Sequence, residues 1–227
     1  MRLVPPEYEE RLLFLGSNGS GKSVLARELL AAGYRRTRSI DLKGDFELLQ
    51  DHQVVREPDD WRGFRHRHVV YRPRPPWDRG PHLDAMLWHW FREAQSGFDA
   101  KRKIQRHPTV IYVDETLALA HSRHTEALAR LAVAGRSLRY GLWCASQRPR
   151  WIPVEARSEA WRWYVFHLSY EQDEKEVLQH AKRQLTLEQL QAGSEHHAFW
   201  ELRRSQHTAG RWDVRHMPPL PAEVATR

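Results

Sequence analysis

Residues 11–33, RLLFLGSNGSGKSVLARELLAAG, decide the fold of this chain. The segment RLLFL predicts a buried strand, because it is a short apolar run that ends at a glycine. Residues 24–32 repeat their apolar side chains with a helical period, and Gly33 is a fitting cap for that helix. The turn between them, from Gly16 to Ser23, fits the pattern G-x-x-x-x-G-K-[S/T]. The sequence therefore predicts a phosphate-binding loop between a strand and a helix.

Such a loop has a definite chemistry. Its glycines allow backbone angles that turn N–H groups onto phosphate oxygens, and the helix that follows adds its positive dipole end. We expect Lys22 to reach the β- and γ-phosphates of ATP and the Ser23 hydroxyl to ligate Mg²⁺. The predicted nucleotide-binding residues are Gly16, Ser17, Asn18, Gly19, Ser20, Gly21, Lys22, Ser23 and Val24.

A second motif, which is acidic, completes the predicted site. Residues 110–115, VIYVDE, place two carboxylates after an apolar strand. In parallel sheets, ligands bind at the carboxyl ends of the strands. We expect Asp114 to hold Mg²⁺ and Glu115 to orient and deprotonate the attacking water. Glu115 favours hydrolysis over transfer of phosphate to a small acceptor.

The order of predicted elements favours an α/β fold, with a mostly parallel sheet, helices on both faces and a C-terminal β-hairpin. The sequence predicts one P-loop domain over residues 1–227, with an arm at 1–10, a core at 11–182 and a C-terminal extension at 183–227. It leaves open whether the hairpin completes the sheet or bridges subunits. Further strands are predicted at 38–42, 69–71, 109–114, 141–146 and 163–168, helices at 81–94, 122–138 and 171–182, and the hairpin at 196–203 and 210–215.

Composition narrows the function classes. With 41% hydrophobic and 29% charged residues, the chain is typical of a globular protein. The single cysteine, Cys144, excludes an intrachain disulfide and argues against a Cys-based zinc site. No apolar run approaches the about 18 residues of a membrane span, so no integral membrane segment is expected.

The net charge of +7 makes a polyanionic partner plausible. The best candidate for contact with a DNA backbone is the basic run at 99–107, although a solvated face is the alternative. We expect Arg35, Arg36 and Arg38 to lie on the outer surface. The predicted DNA-binding residues are Lys101, Arg102, Lys103 and Arg106.

Four segments together resemble the FtsK/HerA class of P-loop ATPases, the DNA-pumping motors. They are the loop at 16–23, the segment IDLKGDF at 40–46, the Asp114-Glu115 pair, and Gly135-Arg136 followed by GLWCASQRP at 141–149. The resemblance covers roughly residues 11–182. The SQRP strand end at 146–149 makes the resemblance to this class more specific, because a P-loop alone is shared by many families.

The resemblance implies a RecA-like (ASCE) ATPase that uses ATP and Mg²⁺ and works as a ring, with a hexamer expected. Gln147 corresponds to the polar sensor of the γ-phosphate, and Arg136 to an arginine finger acting on a neighbouring subunit. Large members carry a membrane anchor, a linker and a winged-helix domain that this sequence lacks. The chain is more similar to the minimal packaging ATPases of membrane-containing dsDNA viruses. That similarity implies dsDNA as substrate, a capsid vertex or portal protein as partner, and the host cytoplasm or the virion vertex as location.

Two alternatives stay open at this point. One is a plasmid or conjugative DNA-mobilisation ATPase of the same superfamily. The other, from a different class, is a P-loop kinase of nucleotides or small molecules. Glu115, Gln147 and the lack of an obvious arginine-rich lid argue against the kinase.

Overall fold

Strands and helices alternate along the computed structural model, which describes residues 5–31, 33–44, 52–122, 125–182, 184–194, 197–205 and 211–220. The strands are β1 (Arg11–Leu15), β2 (Thr37–Ile40), β3 (His52–Val55), β4 (His68–Tyr71), β5 (Phe98–Asp99), β6 (Ile104–Gln105), β7 (Thr109–Val113), β8 (Tyr140–Ser146), β9 (Arg162–Val165), β10 (Phe199–Arg204) and β11 (Trp212–Met217). The helices are α1 (Lys22–Ala31), α2 (Gly80–Gly97), α3 (Leu117–Ser122), α4 (Glu126–Ala134), α5 (Val154–Glu159), α6 (Glu171–His180) and α7 (Leu187–Ala192). Within those ranges, no helix is both long enough and apolar enough to cross a lipid bilayer.

Nine strands form one central sheet in the order β11-β10-β9-β1-β8-β7-β2-β4-β3. The seven strands from β9 to β3 are parallel. The C-terminal hairpin, β10 and β11, pairs antiparallel and joins the sheet beside β9. The predicted α/β architecture is therefore confirmed, and the hairpin extends the sheet of its own chain.

The sheet buries both of its faces, which explains the continuous apolar runs of its central strands. On one face, Leu12 and Phe14 of β1 pack against Leu25 and Leu29 of α1. On the other face, Leu13 and Leu15 belong to the core that helices α2 to α7 cover. All five residues of β1 are buried, so the strand that leads into the glycine turn is held from both sides.

Several predicted elements differ in detail from the observed ones. The helix predicted at 122–138 is shorter in the structure, where α4 spans Glu126–Ala134; α3, which ends at Ser122, was not predicted. The basic run at 99–107 includes a small two-stranded ribbon, in which β5 pairs with β6. Strand β3 and helices α5 and α7 were not predicted. Residues 1–4, 32, 45, 46, 123, 124, 196 and 210, on which parts of these predictions fall, lie outside the described residues.

The expectation that Arg38 lies on the outer surface is wrong. Arg38 is completely buried in β2, where its guanidinium forms a bidentate pair with Glu93 of α2, at 2.8 and 3.3 Å. Its ring-stacking partner is Trp61, whose ring centroid lies 4.9 Å from the guanidinium carbon. All four residues of β2 are buried, so the arginine requires a buried acid as its partner rather than solvent.

Candidate active site

The glycine turn lies at the carboxyl edge of the sheet, between β1 and α1. Backbone hydrogen bonds tie its start to two neighbouring strand ends: Gly16 N–H donates to the Ser146 carbonyl and Ser17 N–H to the His167 carbonyl. Gly19 and Gly21 have φ angles of 71° and 102°, a region that favours glycine. The turn is therefore a fixed backbone cradle rather than a free loop.

Lys22 occupies the centre of this cradle. Its Nζ donates to the carbonyls of Gly16 and Ser17, both at 2.7 Å, and the residue is only 7% exposed. Burial, together with the charge of nearby Lys43, lowers the pKa of Lys22 to about 8. A buried ammonium whose neighbours are neutral carbonyls is a site that an anion would stabilise.

A hydroxyl and a carboxylate meet at the end of the cradle. Ser23 Oγ lies 3.3 Å from Asp114 Oδ1, and Tyr112 Oη donates to the same oxygen at 2.9 Å. Burial, with Asp114 adjacent, raises the pKa of Tyr112 well above its usual value, so its hydroxyl stays a donor. Hard oxygen donors beside a phosphate site are the ligands that Mg²⁺ prefers. The residues present therefore fit this metal, with Ser23 and Asp114 as the groups that would hold it.

Glu115 follows Asp114 in a left-handed conformation, with φ at 59°. Its Oε2 accepts a hydrogen bond from Gln147 Nε2 at 3.0 Å and lies 3.8 Å from Lys43 Nζ. Its other oxygen, Oε1, is buried and has no hydrogen-bond partner among the residues that the structure describes. One oxygen of Glu115 is thus held in place by Gln147.

Lys22, Ser23 and Lys43 border a cavity of about 530 Å³. One side of it is the cradle, and the other is an apolar wall from the end of β9 and from the C-terminal region. The polar side suits phosphates, and the apolar wall suits a nucleobase. The cavity is lined by Asn18, Gly19, Ser20, Gly21, Lys22, Ser23, Val24, Lys43, Phe166, His197, Pro219 and Leu220.

Arg136 does not join this cluster. It precedes β8, whereas Ser146 at the far end of β8 is next to the cradle, and seven strand residues span about 20 Å. Its guanidinium is exposed and stacks on Trp161, with 5.1 Å between its central carbon and the ring centroid. Arg136 therefore lies at the opposite edge of the sheet from its own nucleotide cavity. Arg148, two residues beyond β8, pairs locally with Asp173 at 2.8 Å.

The predicted DNA-binding residues lie on the β5–β6 ribbon. Lys101, Arg102 and Lys103 are exposed at its tip, and Arg106 lies 3.6 Å from Asp99 at its base. Gln105 anchors the ribbon by donating to the carbonyls of Ala94 and Leu138. Because Leu138 lies just before β8, the ribbon and Arg136 share the edge of the sheet away from the cavity.

Comparisons with known proteins give fold matches only, because no protein-family model matches this sequence and no curated protein is significantly similar to it. The genome packaging NTPase B204 of Sulfolobus turreted icosahedral virus 2, solved with ATPγS, superposes with a TM-score of 0.66 at 15% identity. This match covers 95% of this chain and 100% of B204. This chain therefore has the same fold as B204.

Two more solved structures support this assignment of the fold. B204 of Sulfolobus turreted icosahedral virus, described as a DNA-packaging ATPase, matches with a TM-score of 0.62 at 16% identity, over 95% of this chain and 100% of its own. EssC from Geobacillus thermodenitrificans (ATPases 2 and 3) also scores 0.62, at 11% identity. That match covers 96% of this chain but 42% of EssC.

The structure adds residues to which the sequence assigned no role. Lys43 lies in the IDLKGDF segment. The only sequence feature that could have indicated a role in the site was its position just after a strand of the parallel sheet. Tyr112 is two residues before Asp114 and resembles any other core residue. No local sequence pattern indicated the cavity wall of Phe166, His197 and Leu220, because these residues come together only through the fold.

Proposed function

We propose that this chain is an Mg²⁺-dependent ATPase that translocates double-stranded DNA, and that its task is to package a viral genome into a preformed capsid. The observation that carries the ATPase assignment is the position of Glu115. Gln147 holds one of its oxygens beside the phosphate cradle, and the other is unpartnered within the described residues. The fold match to B204 along nearly all of both chains supports the packaging role.

The geometry supports a simple division of labour. In this mechanism, Lys22 leaves the carbonyls of Gly16 and Ser17 and contacts the β- and γ-phosphates. Glu115 accepts the proton of the water that attacks the γ-phosphorus, while ADP leaves as the bond to the β-phosphate oxygen breaks. A Mg²⁺ ion held by Ser23 and Asp114 would neutralise negative charge on the phosphates.

The position of Arg136 supports action between subunits. Since this residue lies at the sheet edge away from its own cavity, it can stabilise a transferring phosphoryl group only in another copy of the chain. A ring, for which the family resemblance implies six subunits, supplies such a copy. The exposed tip of the ribbon, with Lys101, Arg102 and Lys103, would contact backbone phosphates of the duplex, whose charge does not depend on sequence.

The test is ATP hydrolysis with and without long dsDNA at two salt concentrations. We expect dsDNA to stimulate turnover, and the stimulation to fall at high salt because phosphate contacts release counterions. Glu115→Gln should bind ATP and not hydrolyse it. Replacing Lys101, Arg102 and Lys103 with Gln should weaken the stimulation and flatten its salt dependence.

A different experimental result would contradict each part of the proposal. Normal turnover by Glu115→Gln would remove this residue from its role. Turnover that ignores dsDNA, with phosphate transferred to a small acceptor, would replace the translocase by a kinase. Full stimulation of the triple variant would place the DNA-contacting surface elsewhere.

A further inference from the structure

Lys43 is a second cationic residue in the nucleotide cavity. It lines the same 530 Å³ space as the cradle, although it comes from the turn after β2 rather than from the P-loop. Its side chain is 41% exposed and its Nζ lies 3.8 Å from Glu115 Oε2. This lysine therefore faces both the place where phosphates would lie and the carboxylate that would activate water.

The turn that presents Lys43 is built rigidly. Asp41 at its start is completely buried, and its Oδ1 accepts the Gly44 N–H at 2.9 Å. Its Oδ2 accepts Arg72 Nε at 2.8 Å and Nη2 at 2.6 Å. Two guanidinium donors of Arg72 therefore converge on one carboxylate oxygen, and the Gly44 N–H occupies the other. The backbone of Lys43 is thus held at the carboxyl edge of β2, one element away from Asp114.

Electrostatic interactions would favour movement of the Lys43 side chain toward the phosphates of a bound nucleotide. Its charge opposes that of Lys22 and contributes to the low pKa of that residue. A terminal phosphate between the two ammonium groups would relieve their repulsion. It would also compete with Glu115 for Lys43, because a phosphate carries more negative charge than one carboxylate.

We propose that Lys43 is a catalytic residue that contacts the γ-phosphate of bound ATP and that, without nucleotide, pairs with Glu115. The proposal rests on the ATPase function proposed above and extends it. When ATP binds, Lys43 transfers from Glu115 to the γ-phosphate oxygens, so that Glu115 is released toward the attacking water. Lys43 keeps its proton throughout, and no bond to it forms or breaks.

The test compares Lys43→Met, which removes the charge, with Lys43→Arg, which keeps it. Lys175→Met is the matched control, since Lys175 is an exposed lysine that pairs with exposed Glu171. For each variant, the affinities for ATPγS and ADP are measured by calorimetry, and the ATP turnover number is measured beside them. ADP lacks the γ-phosphate, so the ratio of the two affinities isolates the proposed contact.

We expect Lys43→Met to weaken ATPγS binding about tenfold relative to ADP and to lower kcat by about 10²-fold, the effect of losing one positioned charge. Lys43→Arg should recover most of both, and Lys175→Met should match the wild type. An unchanged affinity ratio in Lys43→Met, with wild-type turnover, would overturn the role of Lys43 and leave the ATPase function standing.

Failure of the proposed function gives a different pattern. If the wild type binds ATPγS but hydrolyses nothing, the affinity ratio still decides whether Lys43 contacts the γ-phosphate. If the wild type binds neither nucleotide, both proposals fail together.

Discussion

At the scale of single residues, Lys22 shows how a phosphate site is arranged before its ligand arrives. Its ammonium is buried, and two backbone carbonyls replace the oxygens that a phosphate would offer. Carbonyls carry only partial charge, so the ammonium is stabilised less than it would be in water, and its pKa falls to about 8. A bound nucleotide would reverse this shift.

This reversal predicts proton uptake when ATP binds. Lys22 has a low pKa in the free chain and a higher one beside phosphates, so binding favours the protonated form. Affinity should therefore be greatest below pH 8 and should fall as the pH rises above it, with uptake of about half a proton at pH 8. Calorimetry in two buffers of different ionisation enthalpy measures this uptake.

Lys22→Arg is the control for this measurement, because a guanidinium keeps its charge over this pH range. The arginine variant should bind ATP without taking up a proton near pH 8. Equal uptake by both proteins would assign the proton to another group.

At the scale of elements, β2 connects the core to the active site. Arg38 in its middle anchors it to α2 through Glu93, and Asp41 just beyond its end holds the turn that carries Lys43. The Arg38–Glu93 pair is bidentate, and its side chains are 0% and 2% exposed. A buried pair of this kind is costly to break, because one charge would be left without compensation.

Glu93→Ala should therefore lower the free energy of unfolding by about 3–5 kcal/mol. Chemical denaturation of the full chain measures this change. Glu171→Ala, which removes one partner of the exposed Glu171–Lys175 pair, should change stability little, because water screens exposed charges. Similar losses for both variants would show that the Arg38–Glu93 pair contributes no more than a surface ion pair.

At the scale of the whole molecule, the sheet separates two groups of residues at the opposite ends of its strands. The nucleotide cavity lies at the carboxyl edge, whereas Arg136 and the β5–β6 ribbon lie at the other. One chain therefore cannot bring Arg136 to its own cavity. Stacking on Trp161 leaves the guanidinium exposed, ready for contact with another copy.

Under the proposed function, Arg136→Ala should lower turnover of the assembled ring by about 10³-fold, the contribution of an arginine finger, and should leave nucleotide affinity nearly unchanged. Mixing it with Lys22→Ala should restore some turnover, because about a quarter of the interfaces in an equal mixture would combine an intact Lys22 with an intact Arg136. The steady-state ATPase rate of the mixture measures this rescue. No rescue at any mixing ratio would leave the finger assignment without support.

Predictions from the sequence agree with the structure where they depend on neighbouring residues, and they fail where they depend on contacts between distant ones. Strands β1 and β8 and the cradle were predicted nearly to the residue, because short apolar runs and glycine turns act locally. The helix predicted at 122–138 is observed as α4 over Glu126–Ala134, because apolar periodicity alone does not mark where a helix begins and ends. Arg38 was misplaced because a lone arginine on a strand gives no sign of an acid 55 residues away.

The sequence by itself predicted a phosphate cradle, a carboxylate for Mg²⁺ in Asp114 and a candidate base in Glu115. Each depends on contiguous residues whose backbone and side-chain types suffice for the prediction, whereas the sensor role of Gln147 was implied by the family resemblance. Only the tertiary structure decided which groups meet. Packing across the sheet joins Ser23 to Asp114 over 91 residues and Gln147 to Glu115 over 32, brings Lys43 into the cavity and keeps Arg136 out of it. Such contacts depend on strand order, which no local pattern encodes.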